Sequence, residues 1–136
     1  MAHTISPSPM REKSMDLAVR VVNLCRHLVS EKNEYVLSKQ LLKSGTSPGA
    51  NIREAQNGES TADFIHKLGI AQKETDETLY WLELLFQTKY LNETEFNSMY
   101  KDAEELLRIV RSAIITKKKN KLIEVAKTIA LVILST

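Results

Sequence analysis

The stretch that decides the fold extends from Asn92 to Ala113 and reads NETEFNSMYKDAEELLRIVRSA. Asn92 has a side chain suited to a helix N-cap, and Glu95 follows three residues later, as in a capping box. Apolar residues then recur in steps of three and four, which places them on one face of a helix: Phe96, Met99, Ala103, Leu106, Val110 and Ala113. The stretch therefore predicts an amphipathic helix, the fourth of the chain.

Three further helices are predicted upstream by the same spacing. Helix one is expected to have Ser14 as its N-cap and to end near Lys32, and helix three should extend from Thr61 to about Thr88. The apolar face of helix one consists of Leu17, Val21, Leu24 and Leu28. Four amphipathic helices with short connections predict an all-α protein, an antiparallel up-down-up-down four-helix bundle.

Helix two contains a proline within its apolar pattern, in the segment SGTSPG at positions 44–49. Because Pro48 removes a backbone donor, we expect the helix to be kinked near Pro48 or split into two short pieces. The small residues around this proline should also let helix two approach a neighbouring helix closely. They are Ser44, Gly45, Ser47, Gly49 and Ala50.

The sequence divides into three parts. Residues 1–13 are predicted to be a flexible N-terminal tail, residues 14–119 to be the bundle, and residues 120–136 to be a C-terminal extension that could add a short extra helix. One apolar stripe is possible in the extension, which would either pack on a neighbouring subunit or stay disordered: Leu122, Ile123, Val125, Ala126, Ile129, Ala130 and Ile133.

The composition agrees with a helical protein inside the cell. With 4 Gly and 3 Pro in 136 residues, the chain has little material for the many turns of an all-β fold. The single cysteine, Cys25, excludes an internal disulfide and a CxxC zinc module, and it fits a reducing, cytoplasmic location. The longest apolar run, Ile129 to Leu134, is too short to span a membrane, so no membrane partner is expected.

The net charge of +2 hides a gradient along the chain. Residues 1–105 contain 12 Lys or Arg and 16 Asp or Glu, whereas residues 106–136 contain 7 and 1. The basic end is where a polyanion should bind, and it predicts a nucleic-acid site formed by Arg108, Arg111, Lys117, Lys118, Lys119 and Lys121. Since no aromatic residues are interleaved with them, such binding should be directed at the backbone of RNA or DNA.

Two other interpretations of these features stay open. The lysines could simply complement the dipole at the end of helix four and keep that end solvated. Alternatively, the protein is an interaction scaffold for another protein, because Tyr80 and Trp81 are adjacent on helix three and at least one of them should leave the core.

No pattern indicates catalysis, a cofactor or a metal. Asp63 and His66 have the spacing of one half of a bundle metal site, but a second such pair is absent from the sequence. Asn51 and Glu54 on helix two could meet a similar pair on helix three, Glu74 and Glu77. We expect such a cluster to be a structural hydrogen-bond network or a contact between subunits rather than a catalytic carboxylate pair, and the protein not to be an enzyme.

The run SPGANIREA at positions 47–55, followed by LGIAQKETDE at 68–77 and YWL at 80–82, resembles a known family. It is the four-helix-bundle family encoded in intervening sequences of 23S ribosomal RNA, and the resemblance spans about Ser14 to Lys119. The resemblance implies a ring-like homopentamer. The residues that it marks as fold and assembly signature are Pro48, Ala50, Asn51, Ile52, Glu54, Glu74, Glu77 and Trp81.

The same residues are similar to the accessory variability protein of diversity-generating retroelements. That similarity implies binding of nucleic acid, and of a reverse transcriptase, through a basic surface. The extension from Leu122 to Thr136 exceeds what the intervening-sequence family carries.

Overall fold

A computed structural model describes residues 8–136, which form four α-helices and no strand. The helices are α1 (Pro9–Lys32), α2 (Val36–Gln56), α3 (Thr61–Gln87) and α4 (Glu93–Ser135). The predicted all-α class is therefore confirmed. Residues 1–7, which belong to the predicted tail, lie outside the described residues.

The starts of α3 and α4 agree with the sequence-based prediction. The side chain of Ser60 accepts a hydrogen bond from the backbone N–H of Asp63 at 3.1 Å. Asn92 Oδ1 accepts one from the backbone N–H of Glu95 at 2.8 Å. Each cap satisfies a backbone donor that has no partner within the helix.

The predicted start of helix one is wrong. The N-cap of α1 is Ser8, whose hydroxyl accepts from the N–H of Arg11 at 3.4 Å, and Pro9 occupies the first turn. Ser14 is buried inside the helix, so residues 9–13 belong to α1 and not to a tail. The physical reason is that proline has a helical φ and lacks only a donor that the first turn leaves unpaired.

Pro48 lies inside α2, which continues as one helix, so the predicted split is wrong. The bend at Pro48 stays a prediction. A Cβ added to Gly45 would lie 2.7 Å from Val21 Cγ2, and one added to Gly49 would lie 3.5 Å from Ser14 Oγ. The small residues therefore let α2 approach α1 closely, as predicted, and this packing favours the helix despite the missing donor.

The apolar faces of all four helices meet in one core, in which α2 packs on α1 and α3, and α4 packs on α3 and α1. The predicted apolar positions of α1 are all buried, and so are most of those on the other helices. The largest fully buried hydrophobic side chains are those of Leu17, Val21, Leu28, Leu41, Ile52, Leu68, Leu82, Leu85, Leu106 and Val110.

Helix α4 is much longer than the other three. Its 43 residues extend for about 65 Å, but its last buried side chain is that of Ile114, and every residue from Lys118 onward is exposed. The extension does not form a separate short helix, because residues 120–135 continue α4 without a break. Neither glycine nor proline interrupts residues 114–136, and about half of them are good helix formers, mainly lysine, leucine and alanine.

Candidate nucleic-acid interface

The six predicted basic residues all lie on α4, where the helix leaves the bundle. We call them the basic strip: Arg108, Arg111, Lys117, Lys118, Lys119 and Lys121. Five of them are exposed, and Lys117 is half-buried. At a rise of about 1.5 Å per residue, the strip is about 20 Å long.

The helical turn divides the basic strip between two faces. With about 100° per residue, Arg108, Arg111, Lys118 and Lys119 lie within about a third of the circumference. Lys117 and Lys121 lie on the opposite side of the helix. The structure therefore does not bring all six cations to one surface, and this division could not be seen from charge counting alone.

Two grooves flank Arg108. The first has a volume of about 610 Å³ and lies between α4 and the starts of α1 and α3, where Met10, Phe64 and Lys117 line it. The ammonium nitrogen of Lys117 is 5.1 Å from the centre of the Phe64 ring, a cation–π contact that holds this lysine at the groove.

The second groove has a volume of about 520 Å³, and its lining includes Arg108, Arg111 and the exposed Ile115. Glu104 also lines it, which lowers the positive potential at that end of the strip. The basic character therefore increases toward the projecting part of α4.

The cations of the basic strip are unpaired. Within residues 8–136, the three salt bridges join Lys13 to Glu105, Arg20 to Asp102 and Lys67 to Glu54. The basic strip takes part in none of them. Exposed cations without a protein partner are available for phosphate groups, whose binding releases condensed counterions.

The signature residues of α2 and α3 lie apart from the basic strip. The side-chain amide of Asn51 donates to the carbonyl and the hydroxyl oxygen of Ser47, both at 3.0 Å. Glu54 instead forms an exposed salt bridge of 3.0 Å with Lys67, whose pKa is raised by that hydrogen bond and charge. Pro48 and Ile52 are buried, and Ala50 is exposed.

On α3, the indole N–H of Trp81 donates to Glu77 Oε1 at 3.3 Å, and Tyr80 is 54% exposed. One aromatic side chain of the Tyr80–Trp81 pair thus leaves the core, as predicted. No hydrogen bond in the described part of the chain joins Asn51 or Glu54 to Glu74 or Glu77. The four side chains therefore form no hydrogen-bonded cluster within residues 8–136, and a contact between subunits stays a prediction.

Cys25 is a buried core residue, as expected from the sequence. Its thiol donates to the backbone carbonyl of Ser38 at 3.2 Å. Burial, together with the negative charge of Glu34, raises the pKa of Cys25 to about 11. A thiol that stays protonated near neutral pH is a poor nucleophile, so this position does not suggest covalent catalysis.

Glu34 has a structural role, the capping of α2, that was not predicted from the sequence. Its carboxylate accepts from the backbone N–H groups of Val36, Leu37 and Ser38, at 3.2, 2.9 and 2.7 Å. The side chain is 8% exposed and therefore caps α2 from a buried position. Burial alone would raise its pKa, but these hydrogen bonds outweigh burial and hold the pKa of Glu34 below its ordinary value.

Neither a metal site nor a membrane span is visible in residues 8–136. No group of three or more His, Cys, Asp or Glu side chains there is placed to hold a metal ion. No helix in the same range combines the length and apolar character required to cross a membrane.

Comparison with known proteins identifies the family. The sequence pattern of the 23S rRNA-intervening sequence proteins matches residues 8–112. The chain belongs to this family. The match includes all of α1, α2 and α3 and stops within α4, so Lys117 and the rest of the projecting helix lie beyond the family pattern.

A solved structure supports the same assignment. The chain is similar to a protein of unknown function from the S23 ribosomal protein family of Bacteroides thetaiotaomicron, with 51% sequence identity and a TM-score of 0.76. The similarity covers 77% of this chain and 97% of that one, so this family member is longer than the crystallised relative. No curated protein matches the chain.

Proposed function

We propose that this family member is a non-enzymatic protein of the cytoplasm that binds the backbone of RNA or DNA through the basic strip. The observation that carries the proposal is the series of exposed cations without salt-bridge partners along about 20 Å of α4. A row of arginine and lysine side chains of this kind provides the charge that phosphate contacts require.

The proposed binding is weakly specific for sequence. Phe64, the aromatic side chain that Lys117 contacts, is partly buried and covered by this lysine. No aromatic side chain lies on α4 beyond Tyr100, so the strip has no platform on which bases could stack. Contacts to phosphate fix position and orientation but carry no sequence information directly.

A titration against salt tests this proposal. We expect the full chain to bind duplex DNA and RNA of unrelated sequences with similar affinity. With roughly four phosphate contacts, the affinity should fall about a hundredfold between about 50 and about 200 mM salt. Fluorescence anisotropy with labelled duplexes measures both the affinity and the slope. Absence of binding at the lower salt concentration would reject the proposal.

We also infer that the helices form an antiparallel bundle and that copies of it assemble into a ring-like homo-oligomer, with a pentamer as the expected size. The order of the polar contacts along the helices supports the antiparallel arrangement. Between α1 and α4, Lys13 pairs with Glu105 and Arg20 with Asp102, so the residue numbers rise along α1 while they fall along α4. Between α2 and α3, Ser44 contacts Thr78, and Glu54, further along α2, pairs with an earlier residue of α3.

The exposed apolar side chains support assembly. Val22, Val29 and Leu42 line a groove of about 440 Å³ between α1 and α2. Tyr80 and Ile115 are exposed on α3 and α4. Two different apolar surfaces on one chain suit a head-to-tail contact, which closes into a ring when the rotation permits.

Light scattering tests the assembly. We expect a particle of several times the 15.4 kDa chain mass at micromolar concentration. Changing Leu42 to Glu should place an unpaired charge in the contact and lower the mass. As a control, Lys43→Glu also alters charge on α2 but lies outside the groove, and it should leave the mass unchanged. A monomeric wild-type chain would contradict the proposed ring.

A protein-binding scaffold is the second candidate function, favoured by the exposed Tyr80 beside Trp81. Their ring centres are 4.9 Å apart in an edge-to-face arrangement, which forms a rigid aromatic surface of the kind enriched at interfaces. This function requires no salt-dependent binding of nucleic acid, so the titration described above separates the two candidates.

A further inference from the structure

The projecting part of α4, residues 118–135, has an apolar surface that nothing in residues 8–136 covers. Leu122, Ile129 and Ile133 are 70%, 55% and 66% exposed. A helix of this length has little stability of its own in water, and contiguous exposed apolar surface marks an interaction site. The surface therefore indicates an apolar partner.

The width of this surface limits what the partner can be. At about 100° per residue, it extends from Val132 at one edge, across Ile129, Leu122 and Ile133, to Leu134 at the other, a sector of about 200°. One partner helix covers a narrower stripe, as in a two-stranded coiled coil. Covering the whole sector requires either several partner helices or one flat apolar medium.

The projecting helix as a whole is basic. Lys121 and Lys127 lie on its polar side with Glu124 and Thr128 between them, whereas Lys118 and Lys119, where the helix leaves the bundle, lie within the angular range of the apolar sector. Residues 117–136 contain five lysines and one glutamate, a net charge of +4. Lysine side chains beside a wide apolar face are typical of helices that lie at the surface of anionic membranes.

We propose that residues 118–135 bind the surface of an anionic lipid bilayer, with the helix axis in the plane of the interface. The apolar sector enters the boundary between headgroups and acyl chains, and the lysines extend toward lipid phosphates. No membrane partner was expected from the sequence because its apolar run is too short to span, but surface binding requires no span. The proposal does not depend on nucleic-acid binding.

Vesicle flotation with the full chain tests the proposal. We expect vesicles of mixed phosphatidylcholine and phosphatidylserine to carry the protein, and vesicles of phosphatidylcholine alone to carry much less of it. The double change Ile129→Asn and Ile133→Asn keeps every charge but removes the centre of the apolar sector. It should weaken binding to the mixed vesicles at least tenfold.

Leu131→Asn is the matched control. Leu131 is as exposed as Ile133, at 68%, but it lies on the polar side of the helix, so its change should alter vesicle binding less than threefold. All of these positions lie outside the bundle, and circular dichroism should show the same thermal unfolding of the bundle in each variant. Nucleic-acid binding should also be unchanged in the double variant, because no charge differs.

Four results would overturn the proposal. The first is failure of the mixed vesicles to carry the wild-type chain at low salt. The second is an equal loss of binding in the double variant and in the Leu131 control. The third is that the double variant still binds the vesicles and that salt abolishes this binding. Binding would then come from attraction between the lysines and the lipid phosphates alone. The fourth is a lower particle mass of the double variant without any vesicle binding, which would make this face a contact between copies of the chain.

Discussion

Changing Glu34 to alanine should lower the free energy of unfolding by about 2–4 kcal/mol, because three backbone N–H groups at the start of α2 lose their acceptor. The carboxylate lies at 2.7 to 3.2 Å from the three nitrogens. The site is nearly closed to water, so a water molecule replaces the lost bonds poorly. Denaturant unfolding followed by circular dichroism measures the change.

The stabilisation by Glu34 should depend on pH, in a direction that follows from its lowered pKa. The pKa of Glu34 in the folded chain lies below its ordinary value of 4.5. The stabilisation by the charged carboxylate is therefore complete above that value and is lost as the pH falls through the lower, folded-state pKa. Glu34→Gln, which does not titrate, should differ from the wild type by a constant amount above about pH 5 and by less in more acidic solution.

Glu31 provides the control. It is a glutamate near the end of α1, three residues earlier, but it is exposed, and its change to alanine should alter stability by less than about 0.5 kcal/mol. Equal effects of Glu31→Ala and Glu34→Ala would show that the buried cap contributes nothing to stability.

The capping role of Glu34 is an example of a feature that could not be predicted from the sequence alone. The sequence predicted that helix one ends near Lys32, and Asn33 does end α1 with a positive φ of 52°. A glutamate between two helices is usually solvated, and only the packing of α1 on α2 turns this side chain inward toward the amides. The cap is therefore a product of tertiary structure, whereas the caps of α3 and α4 are encoded locally by Ser60 and Asn92.

The apolar spacing predicted the four helices and most of the core, because burial on one helical face leaves a direct trace in the sequence. It did not predict where α1 begins or that α4 continues past residue 119. Residues 9–13 contain one core-contacting side chain, Met10, and the residues beyond Ile114 contact no core at all. Without a buried face, periodicity gives no boundary, and only proline, glycine and capping side chains indicate one.

The sequence predicted which residues form the candidate site but not how they are arranged on α4. Charge counting found all six cations of the basic strip, but the turn of α4 places Lys117 and Lys121 opposite the other four. The cation–π contact of Lys117 with Phe64 depends on how α3 packs on α4, which a single sequence does not reveal.

Reversing the charges of Lys117, Lys118 and Lys119 to glutamate should weaken binding of duplex RNA or DNA at least a hundredfold near about 50 mM salt, if the proposed function is right. Three consecutive residues include both faces of the helix, so the variant removes phosphate contacts on either side and adds repulsion. Each lost contact should also reduce the slope of log affinity against log salt by about one. Anisotropy titrations at several salt concentrations measure both quantities.

The matched control reverses three lysines far from the basic strip, because any loss of positive charge weakens attraction to a polyanion. Lys32, Lys39 and Lys43 are exposed on α1 and α2, and their change to glutamate alters the net charge by the same amount. If the long-range charge of the chain alone drives binding, the two variants should weaken it equally, and the assignment to the strip would be wrong. If phosphates contact the strip, the control should retain its salt slope and lose less than about tenfold in affinity.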